Sequence, residues 1–180
     1  MTKRADLLKE KLLPPMALHV MEHGLGSASL RPLAAAAGTS DRMLIYHFGN
    51  KEQLIADLLA FLAEQYASAL DAGFGSDLPA SRKECLQRIL TQSSRPEMQP
   101  FMALWWEIVA GCARQVPGYR EAAQAIMDKL LGWLEAHMPA GDPDPQGGAR
   151  YLLTLIEGTQ MLSAVGQPRI ARDGLVASGL

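Results

Sequence analysis

The sequence predicts an all-α fold: an N-terminal three-helix head containing a helix-turn-helix, a long connector helix, and a C-terminal helical body. Three observations carry this. Apolar residues recur at helical spacing along nearly the whole chain, runs of alternating β-branched residues are missing, and two very short helical segments meet at a glycine turn within the first fifty residues.

The first helix is placed from Pro14, because adjacent prolines, Pro14 and Pro15, suit only the first turn of a helix. Met16, Ala17, Val20 and Met21 form its apolar stripe. Thr2–Leu13 ahead of it reads as a basic arm or a separate short helix. Gly24 and Gly26 end the helix. Ser29 caps Leu30–Ala37, Gly38 stops it, and Ser40 caps a second short helix, Asp41–His47. Asn50 caps a long helix from Lys51 to about Asp71, with Leu54, Ile55, Leu58, Leu59, Leu62, Tyr66 and Leu70 as its stripe. Four more helices follow, over about 81–94, 97–113, 118–138 and 146–166. Arg95-Pro96, Pro117-Gly118 and the Pro/Gly/Asp-rich stretch 139–148 separate them. Residues 169–180 read as a weakly ordered tail.

The net charge of −2 hides an uneven distribution. Residues 1–51 hold seven Lys/Arg (Lys3, Arg4, Lys9, Lys11, Arg31, Arg42, Lys51) against four acids, a surplus of +3, and the remainder of the chain carries −5. A basic head on an acidic body suits a polyanionic partner for the head alone, or else an unevenly charged solvated surface. No window approaches the roughly 18 apolar residues of a membrane helix. The start, MTKRADLLKEKLLPP, lacks the apolar segment of a secretory leader, so a cytoplasmic location without a membrane partner is expected. Cys85 and Cys112 are far apart and the four histidines are scattered; no metal or other cofactor is expected. GxSxG, P-loop, HExxH and dinucleotide motifs are all missing, so no enzymatic activity is expected.

In a helix-turn-helix the second short helix enters the major groove and its early side chains reach base edges. Here those are Ser40, Asp41, Arg42 and Met43. By spacing alone, an ordinary helical corner serves equally well. The segment GLGSASLRPLAAAAGTSDRMLIYHFGNKEQL, Gly24 to Leu54, however, resembles the DNA-binding head of the TetR/AcrR family of one-component regulators. Gly24 ends the first helix, Ser29-Leu30-Arg31 opens the second, and Leu33, Ala34 and Ala37 pack it. Gly38 and Ser40 form the turn, Leu44, His47 and Phe48 belong to the recognition-helix signature, and Lys51 and Leu54 start the fourth helix. Ile45 stands where the family commonly has tyrosine, with the aromatic shifted to Tyr46; Thr39 replaces a usual Val or Ile.

The resemblance implies a DNA-binding transcriptional regulator, a repressor by the family's habit, that a small-molecule effector releases from its operator. Residues 1–50 would then be the DNA-binding domain and 51–168 a ligand-binding and dimerisation domain. A helical protein-binding adaptor or a small helical enzyme is the alternative. The implied DNA-binding residues are Arg31, Thr39, Ser40, Asp41, Arg42, Met43, Tyr46, His47 and Lys51. Lys51 opens a helix, where the dipole disfavours a cation unless a phosphate compensates. Arg31 and Arg42 either contact phosphate or a guanine edge, or pair with Asp41 or Glu22.

Residues 97–113 are apolar on nearly every face and are expected to be buried all round. Phe101, Met102, Trp105, Trp106 and Cys112 are the candidate pocket for an apolar or aromatic effector, or else plain core. Glu107, an acid in the middle of that run, either pairs with Arg114 or a distant arginine, or faces a polar ligand. The last two helices carry more apolar surface than one face requires. Ile126, Leu130, Trp133, Leu152, Ile156, Gly158 and Leu162 are therefore the candidate interface of a homodimer.

Overall fold

Helix α1 runs over Thr2–His23 with Pro14 and Pro15 inside it. The structure is a computed structural model and describes residues 2–75 and 77–179, with side chains from Leu8 onward. The sequence-based start at Pro14 is thus twelve residues late. Each proline removes an N–H and crowds the carbonyl four residues back, yet tertiary contacts carry the helix through. Lys9 Nζ lies 3.0 Å from Asp57 Oδ2 and 5.0 Å from the centre of the Phe48 ring. Leu12 and Leu13 pack half-buried on the core of the head. The charged side chains of Lys3 and Arg4, part of the expected basic arm, lie outside the described residues.

A 3-10 turn, Leu25–Ser27, follows, then α2 Leu30–Ala36, α3 Asp41–Phe48 and α4 Lys51–Phe74. The others are α5 Arg82–Ser93, a 3-10 turn Pro96–Met98, α6 Gln99–Ala113, α7 Tyr119–Ala136, α8 Pro145–Ala164 and α9 Pro168–Ala177. Among the described residues there is no strand, and no helix is long and apolar enough to cross a membrane. The region 169–180, expected to be a weakly ordered tail, contains α9. Pro168 sits in its first turn, and Ala171 is buried where α9 packs along α8.

The chain forms two compact units. The first comprises Met1–Tyr66 and Pro96–Met127. Its core joins Met16 and Val20 of α1, Leu33 of α2, Leu44 and Phe48 of α3, Leu54, Leu58, Leu59 and Leu62 of α4, and Leu104 and Ile108 of α6. The second comprises Ala67–Arg95 and Asp128–Leu180. It buries Leu70, Phe74, Cys85, Leu86, Ile89, Leu134, Leu152 and Ile156. Arg82 of α5 donates to both oxygens of Asp142 at 2.7 and 2.6 Å, fastening α5 to the loop before α8.

Candidate nucleic-acid interface

The turn between α2 and α3 is built by local chemistry. Gly38 has φ +63, a left-handed conformation that glycine adopts without strain. The Thr39 N–H donates to the Ala34 carbonyl at 2.9 Å, closing the end of α2. Ser40 Oγ accepts from the Met43 N–H at 3.3 Å and starts α3. Asn50 Oδ1 accepts from the Gln53 N–H at 2.7 Å and starts α4. Ser29, expected to cap α2 in the same way, makes no capping hydrogen bond with its side chain.

Helix α3 divides its side chains cleanly. Leu44 and Phe48 are buried in the core; Asp41, Arg42, Met43 and Tyr46 are exposed, Tyr46 at 76%. Ile45 and His47 are half-buried, and the Tyr46 and His47 rings meet edge to face at 5.2 Å. Ser40 is exposed and Thr39 half-buried. Arg31 at the start of α2 and Lys51 at the start of α4 are exposed as well. Among the described residues Arg31, Arg42 and Lys51 form no ion pair, so neither Asp41 nor Glu22 neutralises them. The predicted set therefore lies at the start of α2, on the α2–α3 turn, on α3 and at the first residue of α4, with three cations available to an anionic partner. Lys9 is committed to Asp57 and is not among them.

Glu107 of α6 supplies a contact that sequence reasoning missed. Its Oε2 accepts from the Leu25 N–H at 2.8 Å, capping the 3-10 turn that follows α1. Arg114 is not its partner. No residue spacing signals this, because the donor is a backbone group 82 positions away.

Helix α6 is not buried all round. Only Leu104, Ile108 and Gly111 are buried, while Phe101, Met102, Trp105, Trp106 and Cys112 are half-buried and Val109 is exposed. Phe101, Trp105 and Cys112 pack on the core of the first unit, with Phe101 edge-on to Tyr66 at 5.8 Å. Two cavities of about 650 and 250 Å³, both in the second unit, are lined by other residues: Leu78–Arg82 with Pro139–Pro143, and Gly73 with the outer side of α5.

The candidate dimer residues split. Leu130, Trp133, Leu152 and Ile156 are buried within the chain itself, and Ile126 packs on the core of the first unit. The inward stripe of α8 is the one through Leu152 and Ile156. Gly158 and Leu162 remain half-buried. The large apolar side chains left open in this part of the chain are Tyr151 and Met161 of α8, Val165 just after it, and Ile170 and Val176 of α9.

Comparison with known proteins agrees with this geometry. Residues 17–58, which span α1 to α4, match the family described as bacterial regulatory proteins, tetR family. The HTH-type transcriptional regulatory protein RaaS of Mycobacterium tuberculosis is 28% identical over 159 residues, covering 83% of this chain and 68% of its own length. The solved structure of the transcriptional regulator SCO7518 from Streptomyces coelicolor A3(2) is 27% identical with a TM-score of 0.67, over 86% of this chain and 85% of that one. The multidrug binding protein EbrR, solved with proflavin, is 21% identical with a TM-score of 0.69, over 94% of this chain and 98% of that one. Residues 17–58 of this all-helical chain thus match the DNA-binding segment of the bacterial tetR family of regulatory proteins, and the cation-bearing helix-turn-helix lies within that match.

Proposed function

We propose that this regulator is a cytoplasmic repressor without enzymatic activity, which binds operator DNA as a homodimer and is released by a small, largely apolar or aromatic effector. Residues 1–50 read DNA, and the helices beyond take up the effector and the second copy. One observation carries the DNA reading: α3 turns Arg42, Met43 and Tyr46 outward, while Leu44 and Phe48 fix it to the core. Arg31 and Lys51 flank that face and hold phosphates. In the body, the half-buried aromatic run of α6 supports an apolar effector, and EbrR with its bound proflavin lends the reading an analogy. Such a ligand acts by preferring the conformer that does not bind DNA. The open apolar side chains of α8 and α9 support a two-fold interface.

Gel mobility on DNA from beside the protein's own gene, over a salt series, tests the DNA reading. Arg42→Ala is expected to cost about 1–3 kcal/mol and to relax sequence preference, and Lys51→Ala to weaken all sequences alike and lower the salt slope by about one. Equal binding by the wild type and the double variant would sink the assignment.

A further inference from the structure

The outward side of α3 carries one side chain that gains nothing from water. Leu44 and Phe48 mark the direction of the core. At 100° per residue, Tyr46 lies opposite that direction, Arg42 about 40° to one side and Met43 about 60° to the other. Met43 is 40% exposed, although its chain is apolar. Its backbone is anchored, since the Met43 N–H is the one held by Ser40 Oγ. Met43 thus projects from the first turn of α3, the part of a recognition helix that reaches base edges.

The major groove offers hydrogen-bond donors, acceptors and one apolar group, the thymine 5-methyl. A methionine side chain has no donor and only a weak acceptor, so it cannot read the polar edges of guanine, adenine or cytosine. Nor does it gain from a phosphate, which asks for a donor or a cation. Its unbranched, polarisable chain does pack on a methyl group. The neighbouring Arg42 has the fork that reads guanine. Resting on the assignment of α3 as the recognition helix, we propose that Met43 reads a thymine 5-methyl group, in the same half-site as the edge that Arg42 faces. A thymine at that position of each half-site is then a determinant of operator choice.

The operator need not be identified beforehand. Full-length wild-type protein selects duplexes from a random pool, and each thymine of the selected half-site is replaced in turn by deoxyuridine. That change keeps the hydrogen-bonding edges and removes only the methyl. At one position it is expected to weaken wild-type binding about fourfold per half-site, and about 15-fold when both half-sites change, the worth of one buried methyl each. Met43→Ala should bind the thymine and deoxyuridine duplexes equally, and Met43→Leu should keep the difference. Circular dichroism checks that both variants keep their helices. If the wild type tolerates deoxyuridine everywhere, or Met43→Ala keeps the full methyl effect, the proposal is overturned while DNA binding stands. If no duplex is selected at all, the assignment of α3 falls and this proposal with it.

Discussion

Gly24 sits at φ +77, and a Cβ built there would come within 2.7 Å of Glu107 Oε1. The position thus asks for glycine twice, once for the backbone and once for the carboxylate that caps Leu25. An alanine there would be strained in the left-handed region and would push the carboxylate away from the N–H it holds. The carboxylate in turn satisfies a donor that the start of a 3-10 turn leaves unpaired. Glu107→Ala is expected to cost about 1.5–3 kcal/mol, the worth of a hydrogen bond to a charged group, and Glu107→Gln about half of that or less, because the amide oxygen still accepts. Urea unfolding measures both, and equal midpoints for wild type and Glu107→Ala would show the bond to be idle. Sequence leaves the partner of Glu107 open because it offers only side chains and ligands to weigh. A backbone N–H has no signature in residue type.

Among the elements, α3 is legible in the sequence down to its cap. Everything that makes it a helix lies within ten residues: the Ser40 hydroxyl, the Leu44 and Phe48 spacing, and Gly49 at its end with φ +89. Helix α1 is not legible, because what holds its first half, Asp57 and Phe48, lies 48 and 39 residues beyond Lys9. Proline logic favours a start at Pro14, and tertiary contacts override it. The cost remains in the helix. Pro14 is exposed, so Pro14→Ala is expected to raise stability by about 1–3 kcal/mol, which a thermal melt would register as a higher Tm. Helix α8 is legible in extent but not in orientation. Leucines and isoleucine at 152, 153, 155, 156 and 162 form two overlapping stripes, and periodicity alone does not say which turns inward. Helix α9 escapes a reading by pattern because Gly174 and three charged residues dilute its apolar stripe, and Ala171, its one buried residue, is small.

For the whole molecule, orientation decides which substitutions separate protomers and which unfold them. Ile156→Glu buries an unpaired charge in the core and should unfold the second unit. Met161→Glu with Val165→Glu changes side chains that are 52% and 66% exposed. Sedimentation should find this pair monomeric with helicity intact, and a dimer of wild-type strength would remove α8 from the interface. Acid acts on the second unit by another route. The hydrogen bonds from Arg82 hold the Asp142 carboxyl below the usual carboxylate range, and the Ala80 N–H, with Arg88, does the same for Glu84. Groups depressed in the folded state stabilise it above their ordinary range, near pH 4, and that contribution is lost as pH falls below it. Acidification should therefore loosen this unit, as read from Trp133 in a Trp105→Phe, Trp106→Phe background. Asp142→Asn should be less stable at pH 7 yet lose less on acidification; an acid profile unchanged from wild type would remove Asp142 as a cause. The division of labour on α3 has a consequence over longer times. Arg42, Met43 and Tyr46 are exposed, whereas Leu44 and Phe48 are the buried residues of α3. With α3 as the proposed recognition helix, a duplicated copy of this chain would be free to drift at those three positions and acquire a new set of target promoters while folding as before.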